Sequence, residues 1–152
     1  MKPRYDIIVV GGGHAGVEAA MIASKLGCCV GIVSMDKQSI GRMSCNPAIG
    51  GVAKGQIVRE IDVLGGVMSR IADKSGLQFK VLNKSKGRSV WSPRAQVDKR
   101  KYEEGVSKLI LGNKGINFIK GEVVSLIIKN DLIGGVCSVS YTHLTLPTNR
   151  EV

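Results

Sequence analysis

Three glycines near the N-terminus have the spacing needed to hold a phosphate group. Gly11, Gly13 and Gly16 form a G-x-G-x-x-G pattern directly after the apolar run of residues 7–10. The first glycine permits a tight turn, the second lets phosphate approach the backbone, and the third lets the following helix pack closely on the strand. The helix N-terminus then offers unpaired N–H groups to the phosphate oxygens. The pattern predicts a dinucleotide site, with a structural glycine turn as the alternative.

A cysteine in a loop of small and polar residues is the second candidate for chemistry. Cys45 lies within residues 43–51, which bring a thiol, an amide and an expected helix N-terminus into one short segment. A thiol near a helix start becomes a better nucleophile because the helix favours its thiolate form. Cys45 is therefore a candidate nucleophile or redox partner, and a buried, inert cysteine is the alternative.

The elements that must position the glycine turn form a βαβ unit. A strand over residues 5–10, a helix over 15–26 and a second strand over 29–34 are expected. The end of the second strand is the usual place for an acidic residue that holds a ribose, and Ser34 stands there instead. Asp36 is a possible substitute, and a solvated loop carboxylate is the alternative.

Further elements follow this unit. A Ser-Pro pair at residues 92–93 predicts a helix N-cap with proline in the first turn. Asn130 and Asp131 between two apolar runs predict a hairpin turn. The full expectation is a helix from 50 to 64, a strand over 77–82, a basic loop over 83–90, a helix over 92–111, a strand over 117–120, and hairpin strands over 123–129 and 132–136.

The composition fits about one domain with an excess of positive charge. The 152 residues are 43% hydrophobic and 22% charged, which supports a core and argues against disorder. The formal net charge is +10, and residues 80–101 hold eight basic side chains against one acidic. This cluster favours a phosphate-rich partner, with a solvated basic face as the alternative. Its members are Lys80, Lys84, Lys86, Arg88, Arg94, Lys99, Arg100 and Lys101, with Asp98 as the acid.

Cysteine and histidine spacing predicts no metal site. The four cysteines form no C-x-x-C pair, and only His14 and His143 could join them. Reduced thiols predict a cytoplasmic protein. The sequence also has no signal-peptide core and no apolar run of membrane-spanning length.

Several separated segments of the chain resemble, in order, the glucose-inhibited division protein A family. The resemblance covers residues 5–136 and departs from the family at Arg88, where a proline is expected. Its segments are GGGHAGVEAA (11–20), MSCNPAIGG (43–51), VREID (58–62), LGG (64–66), QF (78–79), LN (82–83), SKG (85–87) and RAQ (94–96).

The resemblance implies an α/β, Rossmann-like FAD-binding domain of the type found in flavoproteins with two dinucleotide-binding domains. Cys45 would lie near the flavin ring. The family's enzymes add a carboxymethylaminomethyl-type group at C5 of the tRNA wobble uridine, using methylenetetrahydrofolate, reduced FAD, and glycine or ammonium. FAD would lie on Gly11, Gly12, Gly13, His14, Ala15 and Gly16, with the backbone near Val123 close to the adenine.

The resemblance also implies partners and a longer protein. NADH would reduce the flavin from a region that this chain lacks, and the partners would be tRNA, a tRNA-modifying GTPase subunit and a second copy in a homodimer. We expect residues 1–137 to be the N-terminal part of the FAD-binding domain, inactive alone. Residues 138–152 resemble translated sequencing-adapter DNA, so we expect a non-native tail, with a native edge strand as the alternative.

Two other functions stay open. Folate- and FAD-dependent tRNA uridine methyltransferases have a related glycine turn, but they are expected to carry an acidic ribose ligand and to lack the segment CNPAIGG. Ser34 and residues 45–51 argue against that family. A non-catalytic dinucleotide- or RNA-binding module is the remaining alternative.

Overall fold

A computed structural model describes residues 4–139 and shows an α/β fold. Its strands and helices follow one another in the chain order β1 (Ile7–Val10), α1 (His14–Lys25), β2 (Val30–Ser34), β3 (Ala48–Gly50), α2 (Lys54–Val63), α3 (Met68–Ser75), β4 (Gly76–Leu82), β5 (Ser92–Val97), α4 (Lys99–Leu111), β6 (Ile116–Lys120), β7 (Glu122–Lys129) and β8 (Leu132–Val139).

The predicted βαβ unit is confirmed. Strands β1, β2 and β6 form a parallel sheet in that order, with Ile7 opposite Val30 and Val30 opposite Ile116. The central strand β2 is buried from Val30 through Val33 because α1 and α4 supply apolar side chains to the same core. This sheet holds the glycine turn at the carboxyl end of β1, where ligands of open α/β sheets bind.

A second sheet and a hairpin complete the described part of the chain. Strands β3, β5 and β4 form an antiparallel sheet with β5 in the middle. Strands β7 and β8 form the predicted hairpin, and Asn130 and Asp131 turn the chain with φ angles of 49° and 59°. Two successive residues with positive φ are what a two-residue hairpin turn requires.

The core lies where α4 crosses the parallel sheet. Tyr102, Val106 and Ile110 are spaced four residues apart and are completely or almost completely buried. This spacing places them on one face of the helix, where they pack with Val30 and Ile32 of the central strand. The helix therefore anchors the sheet that carries the glycine turn.

The predicted helix over residues 92–111 is wrong in its first part. Residues Ser92–Val97 form β5, and α4 begins at Lys99. Asp98 is the real N-cap, since its carboxylate accepts hydrogen bonds from the backbone N–H groups of Arg100 (2.9 Å) and Lys101 (3.1 Å). Pairing of β5 with two neighbouring strands outweighs the local Ser-Pro signal.

Two further expectations are corrected. Helix α2 begins at Lys54 rather than at the glycine pair, because Gly50 and Gly51 have φ angles of 96° and 102° that no helix admits. Helix α3 was not predicted, although it packs its buried residues Ile71 and Ala72 into the core. Its N-terminus depends on a residue that is distant in the sequence.

Candidate functional site

The glycine turn has the geometry that the motif predicts. Gly11 has a φ of 100°, and its N–H donates to the Val33 carbonyl at 2.8 Å. A Cβ on Gly16 would lie 2.0 Å from the Gly11 carbonyl oxygen, so only glycine fits where α1 meets the turn. A Cβ on Gly13 would meet no atom within 4 Å, which leaves space beside the backbone at this position.

The start of α1 is arranged to attract an anion. The helix begins at His14, and its first bond runs from the Val17 N–H to the Gly13 carbonyl at 2.9 Å. The preceding N–H groups, those of His14, Ala15 and Gly16, therefore have no partner within the helix. Its first turn contains no acidic residue, so no side chain opposes a bound phosphate there.

The nearest carboxylate on α1 is held by another helix. Glu18 accepts hydrogen bonds from the backbone N–H groups of Val67 (3.0 Å) and Met68 (2.7 Å) at the start of α3. This carboxylate therefore caps α3 and complements its dipole instead of facing the glycine turn. Sequence reasoning missed this role because the partners lie about fifty positions away in the chain.

His14 is half-buried behind the turn and is held neutral. Burial lowers the pKa of His14, and the charge of Lys54 lowers it further, while Glu18 and Glu103 oppose the shift. Its ring centroid lies 5.6 Å from that of the buried Tyr102, and its Nε2 is buried with no hydrogen-bond partner among the residues described. At neutral pH the imidazole therefore adds no charge to the turn.

The loop that carries Cys45 is attached to the glycine turn and to α4. The Gly41 N–H donates to the Gly12 carbonyl at 2.7 Å, and the Met43 N–H donates to Glu103 Oε1 at 2.8 Å. A Cβ on Gly41 would lie 2.4 Å from Val106 Cγ1, so the loop packs tightly on α4. Cys45 follows this anchored segment and is exposed to solvent.

The expected helix N-terminus beside Cys45 is absent from that position. Strand β3 follows the cysteine, and α2 begins nine residues after it, at Lys54. The neighbouring polar atom is Ser44 Oγ, 3.9 Å from the Cys45 sulfur. The predicted activation of the thiol by a helix start is therefore not supported, since no helix begins beside Cys45.

The two candidate ribose ligands are engaged in local contacts. Ser34 Oγ lies 3.1 Å from Ser39 Oγ, and the Asp36 carboxylate accepts the Gln38 N–H at 3.2 Å, capping a short 3₁₀ turn. The Gly121 N–H donates to the Ser34 carbonyl at 3.0 Å. This bond places the start of β7, with Val123, at the same carboxyl edge of the parallel sheet as the glycine turn.

The basic segment is divided between several elements. Lys80 and Arg94 are cross-strand neighbours on β4 and β5, whereas Lys84 and Arg88 lie in the 3₁₀ turns between these strands. The Arg88 guanidinium lies 5.9 Å from the ring centroid of Trp91, within the range of a cation–π contact. Lys86 lies in the same 3₁₀ turn as Lys84, and the last three members of the cluster, Lys99, Arg100 and Lys101, belong to the first turn of α4.

The described residues contain neither a candidate metal cluster nor a candidate membrane span. Between residues 4 and 139, no group of three histidine, cysteine, aspartate or glutamate side chains is placed to hold a metal ion. In that range, no helix combines the length and the apolar character that crossing a bilayer requires.

Comparison with known proteins identifies the relatives of this chain. A sequence model described as "Glucose inhibited division protein A" matches residues 6–147. The chain is 48% identical over 133 residues to the tRNA uridine 5-carboxymethylaminomethyl modification enzyme of Aquifex aeolicus, covering 88% of this chain and 22% of that protein. The corresponding enzyme of Chlamydia felis is 50% identical over 132 residues, covering 87% and 22%.

A solved structure confirms the predicted Rossmann-like fold. The GidA structure of Aquifex aeolicus in its form I crystal matches with a TM-score of 0.86 and 47% identity, covering 90% of this chain and 23% of that one. The chain thus spans between a fifth and a quarter of the length of these relatives. Because the family's sequence model matches most of the chain and the fold agrees, this protein belongs to the glucose-inhibited division protein A family.

Proposed function

We propose that the protein forms the FAD-binding part of an enzyme that adds a carboxymethylaminomethyl-type group at C5 of the tRNA wobble uridine. The observation that carries the proposal is the glycine turn, in which Gly16 packs on Gly11 and an acid-free helix start stands open to an anion. The names of its relatives in Aquifex aeolicus and Chlamydia felis supply the reaction.

The residues of the turn fit a dinucleotide cofactor. The pyrophosphate of FAD would lie over Gly11, Gly12 and Gly13, within reach of the free N–H groups of His14, Ala15 and Gly16. The open space beside Gly13 matches a close approach of phosphate to the backbone. The adenine would lie near the backbone of Val123, which β7 carries at the edge of the same sheet. Bound flavin supplies the redox chemistry.

Cys45 is the candidate for direct chemistry. Its loop is bonded to the glycine turn through Gly41 and to α4 through Met43, which supports a position for the thiol near the proposed cofactor site. Its exposure leaves the sulfur free to act as a nucleophile or to position the flavin. Both roles need the same placement, and they differ in whether a covalent intermediate forms.

The whole enzyme would use further reactants and partners. We propose NADH as the reductant, methylenetetrahydrofolate as the one-carbon source, and glycine or ammonium as the nitrogen source. The NADH site would lie outside this chain, whose residues 1–137 would form the first part of the FAD-binding domain. We further propose a tRNA-modifying GTPase as partner, a homodimer as the assembled state and the cytoplasm as the location.

The proposed boundary of the tail falls inside the hairpin. Strand β8 runs to Val139, and Ser138 pairs with Val123 inside the hairpin, so a boundary at 138 falls within a strand. Residues 140–152 lie outside the described residues. We propose that residues 138–152 are non-native, so the genomic reading frame should encode different residues after position 137.

The experiment is a substitution in the turn of the full-length protein. Gly13→Val places a side chain where phosphate would approach, so the variant should purify colourless, without flavin absorbance. Gly134→Val is the matched control, because Gly134 lies exposed in β8 and a Cβ there makes only ordinary contact at 3.6 Å. A yellow Gly13→Val protein at wild-type occupancy would show that the site is assigned wrongly.

A further inference from the structure

A cavity of about 630 Å³ lies apart from the glycine turn and from Cys45. Helices α2 and α3 form one wall, and the β3–β5–β4 sheet forms the other. Its volume falls within the range of small-ligand sites, about 300–1,000 Å³. None of the residues proposed to hold FAD lines it, so it is a separate candidate site.

The side chains that line the cavity carry more positive than negative charge. Four cations, Arg59, Lys80, Lys84 and Arg94, line the cavity with one carboxylate, Asp73. Within residues 4–139, the ion pair that forms joins Lys99 and Glu103 on α4. The four cations of the cavity therefore have no described carboxylate within 4.0 Å. The charge of the cavity is therefore available to an anion.

Two of the cations face each other across neighbouring strands. Lys80 on β4 is the register partner of Arg94 on β5. Residues directly opposite in an antiparallel pair have Cβ atoms about 5 Å apart, and like charges placed there destabilise the sheet. Because side chains alternate along a strand, this pair lies on the opposite face of the sheet from Phe79, and Arg59 and Lys84 remain as the cations for a ligand on the helix side.

The same cavity exposes an aromatic ring. Phe79 is 61% exposed. It shares its face of the sheet with its register partner Ala95 and with the buried Ile49, and this is the face that α2 and α3 cover. A Cβ on Gly76 would lie 2.3 Å from Phe79 Cζ, so the ring rests on the Gly76 backbone and keeps its other side open. An exposed ring beside unpaired cations suits a planar, negatively charged ligand.

From this combination we infer that the cavity binds a nucleotide unit, with its base against Phe79 and its phosphate at Arg59 and Lys84. Under the proposed function, which this inference deepens, the unit belongs to the tRNA substrate. A free mononucleotide offers the same base and phosphate, so the experiment must separate these two sources.

The test uses the full-length protein and two matched pairs of variants. Phe79→Leu keeps an apolar cover over Gly76 and removes the aromatic face, and Leu77→Ala is its control because Leu77 is exposed on the same strand but outside the cavity. Lys84→Gln removes one cavity charge, and Lys114→Gln removes one exposed charge after α4. Thermal unfolding and flavin content establish that each variant is folded.

The first probe is a labelled tRNA anticodon stem-loop. Phe79→Leu should raise its dissociation constant about tenfold, from the stacking usually measured for one base on an aromatic ring. Lys84→Gln should lower the slope of log affinity against log salt by about 0.7–1. Leu77→Ala and Lys114→Gln should match the wild type.

The second probe is uridine monophosphate. If uridine monophosphate binds the wild type and binds Phe79→Leu more weakly, a free nucleotide occupies the cavity. If uridine monophosphate does not bind, while Phe79→Leu weakens binding of the stem-loop, the cavity belongs to an RNA chain. Wild-type stem-loop affinity in folded Phe79→Leu and Lys84→Gln would overturn the inference. That outcome, with flavin bound and tRNA still modified, would leave the proposed function intact.

Discussion

Replacing Gly16 with alanine should damage the fold itself, and replacing Gly13 should damage only the ligand site. The new Cβ of Gly16→Ala would lie 2.0 Å from the Gly11 carbonyl oxygen, so restoring contact at 3.4 Å requires α1 or the turn to retreat by about 1.4 Å. Such overpacking reduces the free energy of unfolding by about 1–3 kcal/mol. The loss should appear with or without flavin.

Gly13→Ala is the matched comparison for this experiment. A Cβ at Gly13 meets nothing within 4 Å, and the residue has a φ of −71° that alanine adopts readily. Its free energy of unfolding without ligand should stay level or rise by about 0.4–1 kcal/mol, because alanine restricts the unfolded chain. Only its flavin occupancy should fall.

The assay is urea unfolding of the flavin-free full-length proteins, followed by flavin titration. Gly16→Ala should unfold at lower urea than the wild type, and Gly13→Ala should not. If Gly16→Ala unfolds at the wild-type midpoint, the close contact between α1 and the turn is not a constraint on the sequence. If both variants bind flavin like the wild type, the phosphate site lies elsewhere.

Three further changes test the contacts around the turn. Glu18→Gln should lower the free energy of unfolding by about 1–2 kcal/mol in urea, since the carboxylate caps α3 with charge-assisted bonds. Glu103→Ala should change the alkylation rate of Cys45 by releasing the Met43 N–H, whereas Glu104→Ala should not. The pKa of His14 is lower in the folded than in the unfolded chain, so the unfolded chain takes up a proton at a higher pH. The free energy of unfolding of the wild type should therefore fall as pH drops below about 6.5, and that of His14→Gln should depend less on pH.

The part of the fold that sequence predicts is the part with local causes. The apolar strand, the glycine turn and the helix after it lie within thirty residues, and each signal acts on its own neighbours. The Asn130–Asp131 turn is equally local, since two residues that tolerate positive φ determine the hairpin. These elements were predicted correctly for that reason.

The errors come from interactions between distant residues. A Ser-Pro pair signals a helix start in isolation, but Ser92–Val97 pairs with β3 and β4, and those partners are invisible in the local sequence. Helix α3 likewise relies on Glu18 from α1 to complete its N-terminus. The cavity is still less predictable, because its walls come from two helices, three strands and the turn that carries Lys84.

The bonds that tie the Cys45 loop to the glycine turn affect how this region moves. The amide protons of Gly41 and Met43 lie in a loop, yet each is held by a partner far away in sequence, at 2.7 and 2.8 Å. Their exchange with deuterium should be slow, since opening either bond means separating the loop from α4 or from the turn. The loop should therefore open together with its supports, as one cooperative unit, and the segment before Cys45 should stay attached to the turn between these openings.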